Sequence, residues 1–139
     1  MLEILKGKSV KYYENEFFRK VASELNELFE RRSWEGLLIG MPKCITESEL
    51  QIDCLLLTKN QLIIIDFKKY RGVLNLPPPG EFGYGRWMLN NGVTVKGGSA
   101  PNPYIQLQRQ RARLIKALQS QIKAFDKSTV STMVCFHDA

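Results

Sequence analysis

The chain has 139 residues and a mass of 16.0 kDa, enough for one ordinary domain and too short for two. It is 44% hydrophobic with no low-complexity tract, too apolar for disorder, yet its longest aliphatic run, Leu62-Ile63-Ile64-Ile65, falls far short of the roughly 20 residues that cross a bilayer. Twenty Lys and Arg against fourteen Asp and Glu give a net charge of +6 and a pI near 9.3, which permits a nucleic-acid partner without requiring one.

The first 16 residues mix charges and aromatics without an apolar core, so no signal peptide is expected. Cys44, Cys54 and Cys135 form no Cys-x-x-Cys pair, and an odd number argues against a disulfide framework. A cytoplasmic setting is the expectation. Val10 to Arg32 reads as an amphipathic helix, with Val10, Phe17, Val21, Leu25 and Leu28 at helical spacing. Trp34 to Met41, closed by Pro42, reads as a strand. Leu50 to Leu57 and Gln61 to Phe67 then form a hairpin turning at Lys59-Asn60. Both runs are apolar on two faces, Ile52, Cys54 and Leu56 on one and Leu55 and Leu57 on the other. Such strands belong in mid-sheet, covered on both sides.

Residues 77–86, rich in Pro and Gly, read as an irregular loop. Trp87 to Leu89 and Val93 to Val95 flank Asn90-Asn91-Gly92, a second hairpin signal. Asn102 is a good N-cap with Pro103 at the first helical position, and the helix is expected to run to about Ala124. Val130 to Phe136 reads as a short strand that ends the sequence without cover, which fits a single domain cut from a longer protein. The expectation is therefore an α/β domain, a mixed β-sheet with a central antiparallel hairpin and helices on both faces.

Two features of this layout carry chemistry. Glu14 falls at the centre of the first helix's apolar face, where an unpaired carboxylate costs several kcal/mol, so it needs a Lys partner or a metal. Glu16 points away and should be solvated. The hairpin is more telling. A two-residue turn at Lys59-Asn60 sets Asp53 directly opposite Asp66, with Cβ atoms about 5 Å apart. Two carboxylates at that distance repel by roughly 3 kcal/mol at an effective dielectric near 20. Lys68 projects from the same face as Asp66. The plain alternative is a buried salt-bridge cluster; the chemical one is an oxygen-ligand site for Mg²⁺ or Mn²⁺ with a lysine beside it, as phosphodiester hydrolysis requires.

The segment Ile52 to Thr58, followed by Ile64-Ile65-Asp66-Phe67-Lys68-Lys69-Tyr70-Arg71-Gly72, resembles the core of the nuclease-related domain (NERD) family, placed in the PD-(D/E)xK, restriction-endonuclease-like superfamily. Trp87, Asn102-Pro103-Tyr104-Ile105-Gln106 and Arg113-Leu114 resemble that family's Asn-Pro-x-x-Gln helix start and the positions after it. The resemblance spans residues 14 to 136. It implies a metal-dependent DNA endonuclease in which Asp53, Asp66 and the Phe67 carbonyl bind Mg²⁺ or Mn²⁺. It further makes Lys68 the catalytic lysine, Glu14 a first-helix acid and metal ligand, and Gln106 the helix glutamine at the site. By helical phase Gln110 lies nearer the apolar stripe than Gln106, so both are candidates. The sequence departs from the family pattern in lacking a Gly-Glu lead-in at Glu14 and in having Asp66 where Glu is usual.

Lys69, Arg71, Arg109, Arg111 and Arg113, with Gln110, are the candidate DNA-binding residues, contacting phosphate rather than reading sequence. Arg111 lies inside the apolar stripe and needs a carboxylate or a phosphate. Trp34 and Trp87 read as packing residues, the loop at 77–86 as a segment that could fold over substrate, and the cysteines as poor nucleophiles. The competing reading is a nucleic-acid-binding or accessory domain with little turnover, fused or associated with a helicase- or kinase-type partner, or forming a homodimer.

Overall fold

Helix-period and strand-period segments alternate along the chain, and each strand-period run finds a place in one of two sheets. The computed structural model describes residues 1–7, 12–42 and 51–137; Val10, Cys44 and Leu50, with the side chain of His137, lie outside this set. Strand β1 (Leu2–Lys6) leads to helix α1 (Tyr12–Arg32) and strand β2 (Gly36–Gly40), then to β3 (Cys54–Thr58) and β4 (Leu62–Lys69). Short strands β5 (Leu74–Asn75), β6 (Trp87–Leu89) and β7 (Thr94–Val95) follow. Helix α2 (Pro103–Gln121) and strand β8 (Val130–His137) complete the order.

The larger sheet runs β1-β2-β3-β4-β8, with the outer pairs parallel and the inner pairs antiparallel. One face packs on α1 through Phe17, Phe18, Ala22 and Phe29 against Leu38, Cys54, Leu56, Ile65 and Phe67. The other packs on α2 through Leu107, Leu114 and Ile115 against Ile52, Leu55 and Ile64. Burying one such aromatic or aliphatic side chain contributes roughly 2–3 kcal/mol, so cover on two faces holds the central strands firmly. The glycines of β2 make the α1 contact possible: a side-chain carbon at Gly36 would lie 2.6 Å from the Phe29 ring, and at Gly40 2.7 Å from Phe18.

The hairpin forms in the expected register, Cys54 facing Ile65 and Leu57 facing Leu62, with Thr58 N–H donating to the Gln61 carbonyl at 2.9 Å. One detail differs. Ile52 packs on the α2 face with Leu55, not with Cys54 and Leu56, because the strand is interrupted at Asp53 and the alternation restarts there. Strand β1 was not expected. It is an edge strand with only Leu2 buried, so it lacks the apolar period that identifies central strands. Strand β5 is two residues long and too short to show a period.

The second hairpin pairs Trp87 with Val95 and Met88 with Thr94 as expected, but joins β5 in a separate three-stranded sheet around Trp87, Leu89 and Val95. Residues 77–86 contain a 3₁₀ turn at Pro79–Glu81, begun by a proline whose fixed φ suits it. Helix α2 ends at Gln121, short of Ala124, because Ile122 is extended and Ala124 takes φ 59. Phe125 still packs on the α2-side core from beyond the helix. Among the described residues no helix is long and apolar enough to cross a membrane.

Asn102 ties the loop at 77–86 to the start of α2. Fully buried, it caps α2 by accepting from Ile105 N–H at 2.9 Å, and its Nδ2 donates to the carbonyls of Phe82 (3.2 Å) and Gly85 (2.9 Å). Phe82 also stacks on Trp87 and Tyr104. The loop at 77–86, read as a segment that could fold over substrate, is tied at Phe82 and Gly85 to the helix start. Asn102→Ala removes a cap and strands two carbonyls, for an expected loss of about 2–3 kcal/mol. Urea unfolding checks this, together with faster proteolysis within residues 77–86; an unchanged midpoint would refute it.

Candidate active site

The site forms where β3 and β4 diverge. Asp53 immediately precedes β3, and both ends of it are held: its carbonyl accepts from Met41 N–H at 2.8 Å, and its Oδ2 accepts from Phe67 N–H at 2.8 Å. A strand residue's N–H and C=O leave on the same side, so the Phe67 carbonyl also faces the space that β3 has left. The Phe67 side chain points the other way and stacks on Phe17 of α1, ring centroids 4.7 Å apart.

Asp66 is 2% exposed, and its Oδ2 lies 3.0 Å from Lys68 Nζ. That contact is an ion pair without hydrogen-bond alignment, and Oδ2 is a buried oxygen with no hydrogen-bond partner. Lys68, its side chain 13% exposed, donates in turn to Gln106 Oε1 at 2.9 Å. Burial pushes the Asp66 carboxyl up to about 7; the Lys68 ammonium opposes this and the neighbouring Asp53 reinforces it. The site thus keeps a carboxyl group poised at neutral pH beside a second carboxylate and an ammonium.

Of the two candidate glutamines, Gln106 is the one that reaches Lys68, because α2 begins beside the site and its first turn overhangs β4. Gln110 turns elsewhere: its Nε2 donates to the Gln51 carbonyl at 2.7 Å, and its Oε1 is buried without a hydrogen-bond partner. Glu14 is buried, as its helical position requires, but lies on the α1 side of the sheet. Among the described residues no group of three His, Cys, Asp or Glu side chains is placed to hold one metal ion. Glu16 meets Arg19 at the surface, 2.7 Å away.

Tyr13 is a site neighbour that sequence reading missed. Its phenol is held above its ordinary value by burial and by the negative charge of Glu14, Asp53 and Asp66, which places it in their common field. Lys69 Nζ sits 5.7 Å from the centre of its ring. A tyrosine preceding a core-facing acid carries no spacing signal of its own.

The basic residues divide. Lys69, Arg71, Arg109 and Arg113 are exposed. Arg111, expected to need a carboxylate or a phosphate, donates from Nε to the Val130 carbonyl (2.9 Å) and from Nη2 to that of Lys127 (2.7 Å). These bonds fasten the approach to β8 against α2. Cys54 is fully buried and its thiol is pushed up to about 12 by burial, with Cys135 and Asp53 adding to it, so no nucleophile is available there.

A family model described as nuclease-related domain matches residues 11–137. The chain belongs to the NERD family. The match takes in both helices and every strand except β1. No curated protein and no solved structure matches the chain. The NERD assignment makes a nuclease-related chemistry the frame in which the Asp53–Asp66–Lys68–Gln106 group is read.

The raised Asp66 value has a consequence for metal-free NERD protein. Between about pH 4, where the unfolded carboxyl ionises, and about pH 7, where the folded one does, folding takes up a proton. Stability should fall as pH rises through this window and level off above it. Asp66→Asn removes the dependence, so its melting temperature in EDTA should exceed wild type by a margin that grows from pH 5 to pH 8. A margin independent of pH would show that Asp66 ionises normally.

Proposed function

We propose that this NERD domain is a metal-dependent DNA phosphodiesterase with a restriction-endonuclease-like, PD-(D/E)xK-type site in a single domain. The observation that carries the reading is Asp66 Oδ2, a buried carboxylate oxygen with no hydrogen-bond partner, facing a second carboxylate and touching Lys68. Lys68 brings one positive charge to two carboxylates, so a bound cation would offset the negative charge that remains.

The donor set fits Mg²⁺ or Mn²⁺, which favour oxygen ligands and retain several waters. Asp53, Asp66 and the Phe67 carbonyl would hold the ion, and Glu14 would act from the α1 side on the field of the site rather than as a ligand. When bound, such an ion polarises a phosphoryl oxygen and lowers the pKa of water. Lys68 does the rest from this chain. Ion-paired with Asp66 and donating one N–H to Gln106, its ammonium keeps N–H capacity for the attacking water or a non-bridging phosphate oxygen. There it offsets the charge that builds as water adds to phosphorus and the bond to the leaving oxygen breaks. Gln106 positions the lysine. Lys69, Arg71, Arg109 and Arg113 supply sequence-independent contacts to DNA phosphates.

Cleavage of supercoiled plasmid, linear duplex and single-stranded DNA at low salt tests this, with Mg²⁺ and Mn²⁺ compared against EDTA. Metal-dependent cutting is expected, reduced about 10²–10³-fold or more in Asp53→Asn, Asp66→Asn and Lys68→Ala. Gln106→Ala, which loosens Lys68 without removing it, should lose less. Wild-type protein that binds DNA and cuts none of these substrates would replace this reading with a binding module.

A further inference from the structure

Beside the site lies a groove of about 260 Å³ that the Asp53–Asp66–Lys68 group does not use. One wall is α2, presenting Gln106, Arg109, Gln110 and Arg113; the other is the turn from Gly97 to Ala100. Gln106 belongs to both places, since its Oε1 accepts from Lys68, so the groove opens where the lysine ends. Its lining carries two arginines and, among the described residues, no carboxylate.

The turn is built to sit close to the helix. Gly97 and Ala100 exchange main-chain hydrogen bonds of 3.2 and 2.9 Å. A side-chain carbon on Gly97 would lie 2.2 Å from the Asn102 carbonyl oxygen and 2.9 Å from Gln106 Cβ. Gly98 adopts φ 62, which a residue with a side chain rarely takes. The wall facing the arginines is therefore bare backbone ending in Ser99. Arg109 and Arg113, one helical turn apart, are offset by about 6 Å along α2, comparable to the step between successive phosphates of an extended strand.

We propose that this groove seats the sugar-phosphate backbone of one substrate strand next to the scissile phosphate, with Arg109 and Arg113 each taking one phosphate and the Gly98–Ser99 backbone forming the opposite wall. The inference rests on the phosphodiesterase reading and adds the path of the strand: out from Lys68 past Gln106 and along α2. The contacts are to phosphate, so the groove confers affinity and direction without base preference.

The test is binding of a labelled single strand and its duplex, in EDTA, across a salt series. The proteins compared are wild type, Arg109→Gln, Arg113→Gln, Ser99→Glu and the surface control Arg19→Gln. Each groove arginine removed should weaken binding about tenfold at low salt. It should also lower the slope of log K against log salt by about 0.7 for the single strand or 0.9 for the duplex. Ser99→Glu, which places a carboxylate in the groove, should weaken binding in the same sense, and Arg19→Gln should not. All four positions are exposed, and circular dichroism checks that each variant folds.

Wild-type affinity and slope in the three groove variants would overturn the proposal, as would a wild-type protein that binds neither nucleic acid. The same preparations are assayed for cutting with Mg²⁺ and Mn²⁺. Groove-dependent binding without cutting keeps the groove and defeats the phosphodiesterase reading. Cutting without groove-dependent binding does the reverse.

Discussion

Everything at the site depends on one register, the pairing of β3 with β4 that sets Cys54 against Ile65. A slip of one residue would turn Asp66 to the α1 face and Phe67 to the α2 face, exchanging a carboxylate for an aromatic ring in each core layer. The two-residue turn after Thr58 and the apolar cover on both faces fix that register. The same choice therefore serves stability and brings two acids together where the strands diverge. Asp53 can leave the ladder there because the Phe67 N–H, which has lost its strand partner, donates to the carboxylate instead.

Placing Asp66 at 2% exposure is unfavourable for a charge, and the surrounding elements are arranged to tolerate it. Lys68 supplies the counter-charge, and Gln106 holds Lys68. Gln106 is itself aimed by the first turn of α2, whose start is fixed by Asn102. The Asn-Pro-x-x-Gln segment thus acts as one device: the asparagine caps the helix and ties down the neighbouring loop, the proline starts the first turn, and the glutamine reaches the lysine. The smaller sheet also reaches the larger one through Tyr70 and Val134, which pack on its Trp87, Leu89 and Val95 core.

Much of this was legible in the sequence because the informative segments obey strong local rules. The hairpin register followed from turn length, the burial of Glu14 from helical phase, and the cap of α2 from Asn-Pro. What escaped notice lacked such a rule. Strand β1 buries one residue and shows no period; Ile52 changed faces because an interruption at Asp53 resets the alternation. Arg111 illustrates a different difficulty. Its apolar neighbourhood correctly indicated that the guanidinium needed acceptors, but main-chain carbonyls are invisible to any reading of side-chain types. Helical phase favoured Gln110 over Gln106, yet Gln106 reaches Lys68, since the choice depends on which end of the helix lies over the strands' divergence.

The parallel pairing of β4 with β8 brings a question of time into the architecture. Asp66 lies beside Val134, and its whole strand is flanked on that side by a segment reached only after the small sheet and all of α2. Parallel pairings across long intervening chain are slow to form, because loop closure precedes any gain from contact. During synthesis the β3–β4 hairpin can close early by local contacts, yet Asp66 then sits on an open edge in water, with its ordinary charge. Its burial, and the altered proton affinity that follows, requires α2 over its face of the sheet and β8 alongside. A nascent chain would therefore carry the acidic pair without the environment that gives it character until α2 and β8 are in place.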